Sequence, residues 1–303
     1  MLLTEFIREG IAALEPLYPT AEARNIVLML CEDVLGTKNY THIVEPKYVI
    51  SPQRIEPLRA ALERLKAGEP IQYIIGKVEF CGREFHITPD VLIPRPETEL
   101  LAREAVKIAS RIQRMRVPFG KKAKPVKVLD LCTGSGNIAW TVALSVPGVQ
   151  VVGVDKSTSA LEVAKAQDFS GEMKASGALA PSFIQADVLD LTQIPSTGQF
   201  DLILSNPPYI MDREKPQMRK NVLEYEPSEA LFVPDDDPLL FYRAVAAWSE
   251  RLLPPEGKGI TEINEVLGKE TLAIFSKEPF RNAELVKDFY DKNRFVFYMK
   301  EAL

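Results

Sequence analysis

Histidine and cysteine are scarce in this 303-residue chain: two histidines, His42 and His86, and three cysteines, Cys31, Cys81 and Cys132. Two histidines cannot build a histidine-rich metal centre, and neither stands beside a cysteine or carboxylate pair at ligand spacing, so no metal is expected. An odd number of widely separated cysteines forms neither a disulfide framework nor a zinc knuckle, which fits a reducing compartment. No apolar run approaches the roughly 20 residues that cross a bilayer, so no membrane partner is expected. An excess of positive charge is also missing. With 37 Lys and Arg against 42 Asp and Glu the net charge is −5, and a pI near 5.4 argues against broad phosphate-backbone binding and a stable nucleic-acid partner. Residues 1–10 carry acidic side chains early and read as an amphipathic helix rather than a secretory signal, which makes the expected address cytoplasmic.

What is present is ordinary globular composition, 46% hydrophobic and 26% charged, in a chain long enough for one small and one large domain. From residue 4 to about 68 the pattern is helical. Phe6, Ile7, Ile11 and Leu14 recur at helical spacing, Thr20 opens a run that Gly36 stops, and Ser51-Pro52 starts another that Gly68 ends. After Pro70 short β-prone stretches follow, 71–75, 78–81 and 84–88, with Gly82-Arg83 at a turn. We therefore expect a helical domain over 1–70, a β-hairpin linker over 71–93 and a large domain over 94–303. In the last, strands at 126–131, 149–154, 182–186, 200–205 and 259–263 alternate with helices, and 283–287 and 294–298 close the chain. Such alternation predicts an α/β fold with helices on both faces of a mostly parallel sheet of seven strands.

The segment from Val128 to Ala139 reads as strand, small-residue turn and helix start, with Cys132, Thr133, Gly134, Ser135 and Gly136 in the turn. Glycines there let the backbone bend tightly and approach a ligand. The next strand ends in Asp155, 19 residues beyond Gly136, where a carboxylate can accept ribose hydroxyls. A nicotinamide and an S-adenosylmethionine site share this geometry. Asp130 at the end of the first strand favours the second, and Asp187 with Val188 can meet and cover an adenine ring. Asp187 is also a good turn or helix cap.

The fourth strand runs into Asn206-Pro207-Pro208-Tyr209. Two prolines remove two backbone donors and fix φ twice, which leaves carbonyls free to accept. A planar amide or exocyclic amine is a poor nucleophile until acceptors hold its hydrogens; the Asn206 side-chain oxygen and the Pro207 carbonyl suit that task, Pro208 stiffens the turn, and Tyr209 can lie flat on the planar group. By itself the tetrapeptide does not distinguish a base from an amide.

These motifs, together with 93–98 (Ile-Pro-Arg-Pro-Glu-Thr) and 68–76, resemble the HemK/PrmC family, the peptide-chain release factor glutamine methyltransferases. The resemblance covers nearly the whole chain. It implies a class I, Rossmann-like methyltransferase domain after a small helical substrate-recognition bundle. The implied activity is transfer of methyl from S-adenosyl-L-methionine, leaving S-adenosyl-L-homocysteine, to the glutamine amide of the Gly-Gly-Gln motif in class-1 release factors, by a monomer. Asn206, Pro207 and Tyr209 are then catalytic and, with Pro208, substrate-binding. The cofactor set is Asp130, Cys132, Thr133, Gly134, Ser135, Gly136, Asp155, Asp187, Val188 and Asn206, with Arg95 and Thr98 near it. Cys132 stands where the family often has glycine. The stretch 259–264 is more polar than a typical fifth strand, and this departure is expected to lie outside the catalytic assignment. The alternatives are a methyltransferase for adenine-N6 or guanine-N2, a nicotinamide-dependent oxidoreductase and a non-catalytic nucleotide-binding partner protein.

Seven Lys or Arg and no acid fall within 111–127. This run reads as a solvated linker, or else as a surface for an acidic partner.

Overall fold

The computed structural model describes residues 1–116, 124–195 and 198–301. The chain divides into two compact units, Met1–Lys77 with Met218–Tyr225, and Val78–Gln217 with Glu226–Leu303. The first unit is helical: α1 (Leu3–Leu14), α2 (Thr20–Leu35), α3 (Thr41–Val44), α4 (Pro52–Lys66) and α5 (Ile71–Ile75). Gly36, in the left-handed region at φ 68, closes α2, and Pro52 opens α4 behind Ser51, as capping chemistry requires. Leu3, Phe6, Ile7 and Leu14 of α1 bury their stripe against Ala23, Ile26, Val27 and Leu30 of α2 and Leu58, Leu62 and Leu65 of α4. The short segment 218–225 belongs here too, with Arg219 paired to Glu22 and the Tyr225 hydroxyl donating to the Ala67 carbonyl at 3.2 Å.

The stretch 71–75, expected as β-prone, is the helix α5. Pro70 precedes it, Gly76 at φ 72 ends it, and Ile71 and Tyr73 are buried; packing outweighs the strand preference of isoleucine. The hairpin is narrower than 71–93: β1 (Lys77–Phe80) and β2 (Arg83–His86).

The second unit continues with α6 (Thr98–Met115), β3 (Lys127–Leu131), α7 (Asn137–Ser145), β4 (Gln150–Asp155), α8 (Thr158–Lys165), α9 (Ser170–Ser176), β5 (Ser182–Gln185) and β6 (Leu202–Ser205). After β6 come β7 (Ile210–Met211) and β8 (Phe232–Val233), between which the chain passes through α10 (Lys220–Tyr225) of the first unit. The chain closes with α11 (Leu240–Leu252), β9 (Lys258–Glu262), α12 (Gly268–Phe275), β10 (Phe280–Lys287) and β11 (Asn293–Lys300). One sheet has the order β10-β11-β9-β6-β3-β4-β5, parallel from β9 to β5 and antiparallel at β11 and β10. This is the seven-stranded α/β sheet that the alternation predicted. Apolar cores cover both of its faces, which is why Val128, Leu129 and Leu131 of β3 and Leu202, Ile203 and Leu204 of β6 are all apolar and buried.

Two features of this sheet place the site. Leu131 is level with Val154 on one side and Ser205 on the other, and Ser205 is level with Thr261, so four strands end together. The chain also reverses its progress across the sheet between β3 and β6. A crevice at the carboxyl ends of the strands at such a switch point is where open α/β sheets take ligands.

Within the basic run, residues 117–123 lie outside the described residues. Arg116 binds the Asp201 carboxylate, which also accepts from the Lys127 backbone N–H at 2.9 Å, so that cation is used inside the unit.

Candidate active site

The turn after β3 is shaped by three positive-φ residues: Cys132 at 60, Gly134 at 53 and Gly136 at 75. At Gly136 the positive φ is compounded by crowding, since a Cβ would stand 3.0 Å from the Phe183 ring and 3.1 Å from the Ala164 Cβ. At Gly134 the space is open, with no atom within 4 Å of where a Cβ would sit, and the backbone there is bare toward the crevice. Cys132 adopts the left-handed conformation with a side chain, which costs strain of about 1 kcal/mol or more.

Buried polar contacts hold this turn. Thr133 donates its hydroxyl to Asp130 at 2.7 Å and its N–H to the Val154 carbonyl at 3.0 Å. Asp155 accepts from the Gly134 N–H through one oxygen at 2.9 Å and the Ser157 N–H through the other at 3.0 Å. Burial pushes the Asp130 carboxyl up to about 7 against the Thr133 hydrogen bond. Asp155 is also raised, by burial, with the two N–H donors opposing. The Cys132 thiol lies well above its ordinary value, chiefly from burial and then from the Asp155 and Asp130 charges; it is a neutral packing group, not a nucleophile.

A cleft opens at this edge. Cys132, Thr133, Gly134, Ser135, Asp155, Asp187, Val188, Asn206 and Pro208 line it, as do Arg95 and Thr98. Four residues named from the sequence stand behind its wall. Asp130, fully buried, braces the turn; Gly136 packs on Phe183; Pro207 is buried; and the Tyr209 side chain turns toward Glu262. Asp187 lines the cleft and also caps the following turn, accepting from the Leu189 N–H at 2.8 Å.

Other walls have no counterpart among the sequence-derived residues. Phe241 of α11 adds an aromatic surface beside Val188, and Glu229, ion-paired with Lys156 at 3.3 Å, reaches in from the long loop after β6. Glu226, its side chain 1% exposed, accepts from the Arg95 guanidinium at 2.6 Å and from the Ile93 N–H at 3.2 Å, and so ties the 93–98 segment to that loop. The signal for these was the loop's length and proline content, which locate no single residue.

A hydrogen-bonded chain backs the Asn206 side. The Asn206 amide NH2 donates to the Thr98 hydroxyl at 3.1 Å, and Thr98 donates to Glu262 at 2.8 Å. The other Glu262 oxygen accepts from the Tyr209 hydroxyl at 3.1 Å. Tyr209 is pushed well up by burial and the nearby Glu262 charge. The polar stretch 259–264, expected to lie apart from the catalytic residues, thus supplies a direct partner of Tyr209 and, through Thr98, an indirect one of Asn206.

The cleft fits an adenosine-type ligand carrying a charged tail. To it Asp155 presents carboxylate acceptors, Val188 and Phe241 apolar walls, and Gly134 an open backbone face. Among the described residues no group of three or more His, Cys, Asp or Glu is placed to hold a metal ion, and no helix is long and apolar enough to cross a membrane.

Comparison with known proteins agrees with this geometry. Residues 122–296 match the model of a methyltransferase domain, and residues 5–76 match that of the PrmC N-terminal domain. The release factor glutamine methyltransferase of Bacteroides thetaiotaomicron is 35% identical over 294 residues, 97% of this chain and 98% of that protein. Its counterpart in Flavobacterium psychrophilum is 34% identical over 98% of both. A bifunctional methyltransferase of Rickettsia bellii is 30% identical over 97% of this chain and 54% of its own length. The fold and site define a methyltransferase. The chain belongs to the release factor glutamine methyltransferase family.

Proposed function

We propose that this chain moves the methyl group of S-adenosyl-L-methionine to the side-chain amide nitrogen of the glutamine in the Gly-Gly-Gln motif of class-1 release factors. One observation carries the reading: Asn206, lining the cleft, gives its NH2 to Thr98, so its carbonyl oxygen is the atom left to hold a substrate N–H.

When bound, S-adenosyl-L-methionine supplies a methyl on a positively charged sulfur. Asp155 and Asp187 would hold its sugar and base, Val188 and Phe241 would cover the ring, and the 132–136 turn would take the tail. Asn206 Oδ1 and the Pro207 carbonyl accept the two amide hydrogens, which draws the nitrogen lone pair out of conjugation and aims it. Positive charge grows on that nitrogen as the N–C bond forms and the S–C bond breaks, and the same acceptors stabilise it before one proton leaves. Pro208 fixes the turn, and Tyr209 anchors its far end.

The test offers methyl-labelled S-adenosyl-L-methionine to the protein together with a purified class-1 release factor and, separately, with DNA and RNA. Label is expected in the release factor. Label confined to nucleic acid would replace the amide with a base nitrogen.

A further inference from the structure

Resting on that reading of Asn206, we infer that Glu262 is a positioning residue which fixes, through the Thr98 hydroxyl, which end of the Asn206 amide faces the substrate. An ionised carboxylate only accepts, a hydroxyl has a single hydrogen to give, and an amide offers an oxygen at one end and two donors at the other. Glu262, 1% exposed at the end of β9, takes the hydrogen of Thr98 at 2.8 Å. The remaining capacity of Thr98 is to accept, so only the NH2 end of Asn206 can bind it, at 3.1 Å. The carbonyl is thereby turned outward without any direct contact between Glu262 and the cleft. Amide orientation is ordinarily soft and decided by the surrounding network; here the network has one polarity.

Reversal of that polarity would be harmful. A neutral carboxylic acid can donate to Thr98, which frees the Thr98 hydrogen for the Asn206 oxygen and turns the NH2 toward a substrate that also presents NH2. The groups that bear on Glu262 come from several elements. Thr98 and Glu97 stand at the start of α6, Tyr209 on the loop after β6, Arg294 on β11 and Tyr242 on α11. Burial raises Glu262 to about 7, with Thr98, Arg294 and Tyr209 opposing and Glu97 adding to it. Arg294 is itself tied to Asp288 at 3.0 Å. The ionised form is the productive one, so the turnover rate rises with pH through the region near 7.

The experiment measures single-turnover rate against release factor concentration, up to saturation, from pH 6 to 9 for the wild type, Glu262→Gln, Thr98→Val and Thr98→Ser. S-adenosyl-L-homocysteine affinity and thermal midpoint are measured alongside. Glutamine at 262 can donate or accept, so it leaves the chain without a direction. We expect its rate to fall roughly 10²-fold, the scale of a misplaced reacting group, with the acid limb gone and product affinity within about threefold. Thr98→Val should fall comparably, and Thr98→Ser should recover most of that loss. The inference is overturned if folded Glu262→Gln keeps both rate and acid limb, if the loss lies only in KM, or if serine at 98 fares no better than valine. Should Glu262→Gln not fold, the valine and serine pair decides alone. A wild type that methylates no release factor would overturn the proposed function instead.

Discussion

Replacing Glu226 by alanine should loosen the side of the cleft where the 93–98 segment meets the long loop. The carboxylate has two partners. The buried Ile93 N–H would lose its acceptor, at about 1–3 kcal/mol for an orphaned donor. The Arg95 contact, at 2.6 Å with the guanidinium one-third exposed, is worth less than a fully buried pair because water reaches it, about 1 kcal/mol. The sum is about 2–4 kcal/mol. At roughly 2–4 °C per kcal/mol for a unit of this size, the calorimetric midpoint should fall by about 4–16 °C. Glu226→Gln keeps one acceptor and should lose about half as much. Because Arg95 lines the cleft, S-adenosyl-L-homocysteine affinity should weaken in the same order. An alanine variant within about 0.5 kcal/mol of wild type in urea melts would refute the reasoning, since surface substitutions already span that range.

Further outcomes follow from the same geometry. Asn206→Ala should remove turnover by about 10²-fold or more, as loss of one preorganised polar partner does, while calorimetry finds product affinity within a few-fold. Gly136→Ala, forced to φ 75 with a Cβ 3.0 Å from Phe183, should destabilise by at least about 1–2 kcal/mol in urea unfolding. Asp130 has a folded-state pKa raised to about 7 from 3.8, so the folded form binds its proton more tightly. The stability it contributes is present at low pH and is lost as pH rises from about 4 to 7. Asp130→Asn should therefore gain stability relative to wild type across that window, and a flat difference between the two urea titrations would contradict the assignment.

Much of the fold was legible because buried parallel strands such as 127–131 and 202–205 carry apolar residues toward both faces, and caps such as Ser51-Pro52 and Gly36 act locally. What escaped was decided by packing or lacked a pattern. Ile71–Ile75 carries strand-prone residues but is bracketed by Pro70 and Gly76 and drawn into a helical core. Ser170–Ser176 buries none of its residues, so no periodicity announced it. The same division runs through the site. The 132–136 turn, Asp155 and Asn206 were legible because chain geometry itself places them at strand ends. Glu262 was not: a lone acid in a strand looks like a departure from an apolar pattern, and only the register of Ser205 with Thr261 brings it beside Asn206. Glu229 and Phe241 reach the cleft, and Glu226 reaches Arg95 at its edge, through the path of a long loop and one helix face.

Peptide mapping by mass spectrometry of a class-1 release factor, incubated with this protein and S-adenosyl-L-methionine, tests the central claim most directly. A single added methyl on the side-chain nitrogen of the Gly-Gly-Gln glutamine is the predicted result, absent when Asn206→Ala replaces the wild type. An unmodified glutamine after full incubation, or methyl found on another residue type, would contradict the account.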